Sequence, residues 1–198
     1  MLKPYRFLGI CLACLVAFSF VHFASGQDKK PNYLGVLFSG ESSMNRFSPN
    51  IGIIYERNFS PKVGAEVGLF YRTYQNEIFI TMTTPQVVIS DYVRFVEGFV
   101  AIPLLARYDA GFAHFSLGPQ VDIFAKWHQV RKGEISLDDF SRSPRVRIGP
   151  LLKLGREISF KGTLILEPEI RLGIRSLTES GEGYFGIGLK LKKGLDKL

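Results

Sequence analysis

His114-Phe115-Ser116-Leu117-Gly118-Pro119-Gln120-Val121-Asp122-Ile123-Phe124-Ala125-Lys126-Trp127 alternates between two kinds of side chain. The odd positions, from Phe115 to Trp127, are apolar throughout. The even positions carry His114, Ser116, Gln120, Asp122 and Lys126. Successive side chains of a strand point to opposite faces, so this is a strand with one apolar face and one polar, charged face. Such a strand suits a membrane-spanning barrel with lipid outside and a polar interior. It decides architecture and names neither ligand nor reaction.

The same two-residue rhythm occurs in seven other segments bounded by turn residues. Leu34, Val36 and Phe38 share a face near the start, and Ile51, Ile53 and Tyr55 share the next. Val63, Ala65, Val67, Leu69 and Tyr71 form the third apolar face, opposite Glu66 and Arg72. The segment from about Tyr92 to Asp109 is the least regular. Later segments set Val146, Ile148, Leu152 and Leu154 against Arg145, Arg147 and Lys153. They set Leu164, Leu166, Ile170 and Leu172 against Glu167, Glu169 and Arg171, and Phe185 to Leu191 against Lys190 and Lys192. None has a helical period. Eight strands of about ten residues predict an all-β, eight-stranded antiparallel up-and-down transmembrane β-barrel.

The connections support this independently. Short turns fall at Phe59–Pro61, Asp109–Gly111 and Arg156–Phe160. Longer polar loops fall at Ser42–Ser48, Asn76–Asp91, Gln129–Pro144 and Leu177–Glu182. Membrane barrels have short periplasmic turns and long external loops, and the two kinds alternate here as that topology requires. Tyr33, Phe59, Tyr108, Phe112 and Phe160 are expected in a periplasmic aromatic girdle. Tyr71, Tyr74, Tyr92, Phe95 and Trp127 are expected in an external one.

The first residues resemble a secretory signal: Lys3 and Arg6, an apolar run from Phe7 to Phe23, then Ala24-Ser25-Gly26. Cleavage is expected near Gly26/Gln27, giving a signal peptide over 1–26 and a single barrel domain over 27–198. Both cysteines, Cys11 and Cys14, lie within the apolar run. The remaining chain therefore has no disulfide or thiolate metal site. Losing Lys3 and Arg6 lowers the formal charge from +7 to +5. The basic residues are spread singly over strands, so nucleic acid is not an expected partner. No cofactor is expected.

Phe99-Val100-Ala101-Ile102-Pro103-Leu104-Leu105-Ala106-Arg107-Tyr108 resembles the "Y-x-x-I-P-L-L-x-[KR]-Y" strand of the Bacteroidetes outer-membrane β-barrel domain family, which includes PorT-like proteins. Phe99 stands where the family has its aromatic, and Ala101 replaces the frequent acidic residue. Near the end, Tyr184-x-Gly186-x-x-Leu189-x-Leu191 resembles the last-strand signal read by the barrel assembly machinery. Leu191 stands in place of the usual aromatic. These resemblances imply an outer-membrane address with outer-membrane lipid and that machinery as partners, and no shared reaction.

An eight-stranded barrel has an interior just wide enough to be filled by side chains. The expected inward charges are Glu56, Glu66, Arg72, Glu97, Arg107, Asp122, Lys126, Arg145, Arg147, Lys153, Glu167, Glu169, Arg171, Arg175, Lys190 and Lys192. They are expected to form a lumen charge network of ion pairs that plugs the barrel. A rival reading takes the basic excess at Arg145, Arg147, Lys190 and Lys192 as an anion path. A rim-located lipid-modifying hydrolase or acyltransferase would draw on His128, Ser136, Asp138, Asp139, Ser141 and Ser143. Loops are rich in Ser and Asp for turn reasons alone, and His114 reads as a hydrogen-bonded lumen residue. A soluble lipocalin-like barrel would turn its apolar face inward and expose the charged set. The expectation is a non-enzymatic barrel with a structural or envelope-interaction role, in which loops 76–91 and 129–144 are available to an envelope or secretion complex.

Overall fold

Alternating sequence can become a closed wall only if the strands find neighbours on both sides, and here every strand but one two-residue segment does. The computed structural model describes residues 31–43, 46–83, 87–130, 145–160, 164–177 and 181–195. The expected signal segment and its cleavage point lie outside these residues. The strands are β1 (Asn32–Ser43), β2 (Arg46–Asn58), β3 (Val63–Thr83), β4 (Val88–Asp109), β5 (His114–Gln129), β6 (Val146–Gly155), β7 (Ile158–Ser159), β8 (Leu164–Ile174) and β9 (Gly183–Leu195). They form one antiparallel sheet in the order β6-β5-β4-β3-β2-β1-β9-β8-β7. β1 pairs with β9 from Asn32↔Leu195 to Ser42↔Phe185, and β6 pairs with β8, so the sheet closes into an up-and-down barrel.

β7 is a continuation of β6. Leu151↔Gly173 through Gly155↔Glu169 and Ile158↔Leu166 through Ser159↔Ile165 keep one register. The ladder lapses opposite Pro168. Arg156 donates to the Pro168 carbonyl at 3.2 Å, but proline has no N–H for the return bond. Nine strands therefore make eight staves. The turn expected at Arg156–Phe160 contains the strand Ile158–Ser159, and the Phe160 N–H donates to the Leu164 carbonyl at 2.9 Å.

The wall is inside-out relative to a water-soluble domain. Among the described residues, thirteen hydrophobic side chains are buried against twenty-one polar or charged ones. Leu34, Phe38, Ile53, Leu69, Leu104, Leu117, Leu172 and Ile187 lie exposed on the outer surface. Four of the aromatics expected in girdles turn inward instead. Tyr33, Tyr74 and Phe95 are buried, because each shares the parity of the charged face of its strand. Small apolar clusters, Leu37 with Ile54, Phe70 and Ala101, and Leu105 with Leu151 and Tyr184, fill gaps between the charges.

Trp127 is the fourth, and its reason is different. β4 and β5 pair in one register from Phe95↔Gln129 to Gly98↔Lys126 and in another from Phe99↔Phe124 onward. Ala125 is the extra residue, a β-bulge that reverses the faces of everything beyond it. Trp127 now opposes the buried Glu97 and turns in, while Lys126 opposes Gly98 and turns out. Lys126, expected in the lumen, is exposed on the outer surface, and the two-residue rhythm fails at the bulge.

The expected loop Asn76–Asp91 is largely strand. β2 pairs with β3 only as far as Ile51↔Tyr71, whereas β3 and β4 stay paired to Thr83↔Val88. The stretch from Glu77↔Arg94 outward stands as a two-stranded hairpin roughly 20 Å long at the usual rise per residue.

Candidate functional site

The interior is two connected layers of ion pairs, positioned by strand parity alone. Nearest the short turns, the Lys192 ammonium donates to Glu56 Oε2 at 2.6 Å, Glu157 Oε1 at 2.8 Å and Glu167 Oε2 at 2.5 Å. Lys190 reaches Glu167 at 2.5 Å, Glu66 at 2.7 Å, Glu169 at 3.1 Å and Glu56 at 3.2 Å. Lys153 pairs with Glu66 and lies 3.4 Å from Glu169. Arg107 bridges Glu56 at 2.9 Å, Glu157 at 2.6 Å and Glu167 at 3.2 Å. The His114 Nε2 lies 2.9 Å from Glu167 Oε1.

Oxygens of Glu56, Glu157 and Glu167 lie within 4.8 Å of one another, a spacing that can hold a metal ion. An ammonium has three N–H donors, and Lys192 directs one at each of the three carboxylates. The protein's own cation fills the place a metal would take.

Nearer the long loops, Arg72 is the centre. Its Nη1 donates to both Asp122 oxygens at 3.0 and 3.1 Å, and its Nε and Nη2 donate to Glu41 Oε2, the former at 3.1 Å. The guanidinium lies 5.1 Å from the Tyr74 ring centre and 4.7 Å from that of Tyr184. The Tyr74 hydroxyl and the Gln120 amide complete Asp122 at 3.1 and 2.8 Å. Arg171 lies 3.2 Å from Glu41 and 3.4 Å from Glu169, which joins the two layers. Arg147 lies over Phe99, and Arg175 lies over Tyr74 and pairs with Glu182 at 2.9 Å. Glu97 accepts from Asn76 at 2.5 Å.

Of the sixteen charges expected inside, the structure brings fourteen to the lumen. Lys126 faces out through the bulge, and Arg145 lies exposed just before β6. Two partners that the sequence reading did not select belong to the network, Glu41 and Glu157. Glu157 keeps the parity of Arg147 and Lys153 but falls in the expected turn. Glu41 is the one charge of β1 and lies on the face opposite Leu34, Val36 and Phe38, a parity that would have found it.

Charge is balanced. Seven buried carboxylates (Glu41, Glu56, Glu66, Glu97, Asp122, Glu167, Glu169) face seven buried cations (Arg72, Arg107, Arg147, Lys153, Arg171, Lys190, Lys192). The expected basic excess is therefore corrected: Lys190 and Lys192 are each surrounded by carboxylates, and Arg145 is outside the lumen. Among the rim candidates, His128 is exposed on the outer face of β5, again through the bulge. Ser136, Asp138, Asp139, Ser141 and Ser143 lie outside the described residues.

A closed eight-stave barrel with an apolar wall and an interior filled by paired charges is the class that fold and interior define together. No protein-family description matches the chain, and no curated protein does. Solved structures of small outer-membrane barrels are similar in fold. Neisserial surface protein A is 14% identical with a TM-score of 0.48, over 85% of this chain and 100% of that one. OprG from Pseudomonas aeruginosa is 10% identical with a TM-score of 0.49, over 85% and 98%. Ail, the attachment invasion locus protein of Yersinia pestis, is 8% identical with a TM-score of 0.40, over 86% and 100%.

Proposed function

We propose that this chain is a small outer-membrane barrel with a structural or envelope-interaction role, related to the Bacteroidetes PorT-like barrels, and that it carries out no catalysis. The observation that carries this reading is the inverted distribution of side chains: a charge-balanced interior inside an apolar wall. Water solvates neither the leucines of such a wall nor the buried ions, whereas a bilayer covers the wall and the pairs satisfy one another. A lipocalin-like barrel would need the opposite arrangement.

The side chains that fill the lumen leave the barrel a plug rather than a pore, and the lumen ion pairs serve to hold the staves together. The N-terminal signal directs export and is removed near Gly26. The barrel assembly machinery inserts the chain through its last strand, with the short turns in the periplasm. The β3–β4 hairpin then stands on the external side, available to an envelope or secretion partner.

Fractionation with heat-modified gel mobility tests this. Recovery in the outer membrane, with faster migration before boiling, is expected. Recovery as a soluble periplasmic protein would overturn the reading.

A further inference from the structure

The bulge at Ala125 does more than interrupt a pattern: it places a lysine on the outer wall at one particular height. Across β3, β4 and β5 the outward row Tyr71, Val100 and Ile123 is uncharged. In the next row toward the long loops Gly98 pairs with Lys126, and in the row after that Val96 pairs with His128. Lys126 is thus the first outward cation above the apolar band on this side of the barrel. A charged side chain on the lipid face is tolerated best at the edge of the hydrocarbon.

The local packing is specific. A Cβ at Gly98 would lie 2.9 Å from Tyr71 Cζ, so glycine there lets the phenol ring lie across the neighbouring strand. The Lys126 ammonium sits 5.8 Å from the centre of that ring. A ring face holds a cation without neutralising it, and among the described residues no carboxylate partners Lys126. A lysine at the edge of an apolar wall can lay its stem along that surface and carry its charge to the interface, where anionic headgroups lie.

We infer that Lys126, set on the Tyr71 ring and flanked by His128, binds the phosphate of an outer-leaflet lipid headgroup. The inference rests on the outer-membrane reading. It commits to a lipid phosphate, because the site faces sideways into the bilayer edge and not up into solvent.

Native mass spectrometry of the detergent-folded protein, with diphosphoryl lipid A and its dephosphorylated form as probes, tests this. Wild type is expected to retain the phosphorylated lipid about fivefold better, and K126Q to lose that preference. K62Q, which removes an exposed lysine at the opposite end, is expected to keep it. Equal preference in wild type and K126Q, or equal loss in K62Q, would overturn the site. Displacement of the lipid by excess inorganic phosphate would overturn its assignment to lipid. Heat-modified mobility is read on every variant, and a wild-type chain that does not enter vesicles overturns the membrane reading itself.

Discussion

The Lys192 ammonium lies 2.5 Å from Glu167 Oε2, and the same carboxylate group receives Lys190 at 2.5 Å through its other oxygen. Glu167 therefore ties two adjacent rungs of β9 to β8 and, through Arg107, to β4. Ions taken out of water recover their solvation only through such multiple pairing.

Removing one partner from this cluster leaves charges without compensation. Lys192→Gln is expected to destabilise the folded barrel by about 3–5 kcal/mol, because Glu56, Glu157 and Glu167 then face each other. Urea unfolding in detergent measures it. Adding Glu157→Gln is expected to restore part of the loss, and a K192Q variant as stable as wild type would show that the cluster contributes nothing.

The plug predicts electrical silence. Wild-type protein reconstituted in a planar bilayer is expected to show no steady step conductance, since both layers of the lumen are packed with side chains. Regular single-channel steps would contradict the filled lumen.

Ala125 is the extra residue that puts Lys126 and Trp127 on the faces opposite to those that unbroken alternation along β5 would give them. In wild type, Trp127 turns into the lumen, so brominated lipid should quench its fluorescence weakly. Deleting Ala125 joins the two registers, with Phe124 opposite Phe99, Lys126 opposite Gly98 and Trp127 opposite Glu97. Trp127 is therefore expected to stay inward with weak quenching, and strong quenching would refute Ala125 as the extra residue. As the chain has one tryptophan, the signal is unambiguous.

Gly155 lies under the His114 ring, where an added Cβ would sit 2.5 Å from Nε2. Gly155→Ala must displace an imidazole held against Glu167, at an expected cost of about 1–3 kcal/mol. Replacing both residues, as G155A with H114A, should recover much of it. An additive result in that cycle would refute the steric account.

The projecting hairpin is expected to be dispensable for folding. Replacing residues 79–92 by Asn-Gly leaves Ile78↔Val93 to close the turn. Heat-modified mobility should persist, with stability changed by less than about 1 kcal/mol. Loss of the mobility shift would place the hairpin within the folding unit.

Much of this architecture was legible because a charged lumen makes the inward parity conspicuous. Glu66 with Arg72, Glu167 with Arg171, and Lys190 with Lys192 mark the face of their strands without help from structure. The Ala125 bulge was illegible, since alanine carries no mark of a bulge and the rhythm of apolar residues runs through it to Trp127. Glu157 was hidden by the short-turn reading of Arg156–Phe160. The partners of each charge were hidden too, because they depend on stagger between staves, and single-strand alternation does not contain stagger.

The interruption at Pro168 has a mechanical meaning. The first and last strands are joined over eleven residue pairs, whereas β6 and β8 share five before the proline lapse and two after it. A cylinder under load parts along its shortest weld. The wall of this barrel should breathe there, between β6 and β8, while the joint between its first and last strands stays shut.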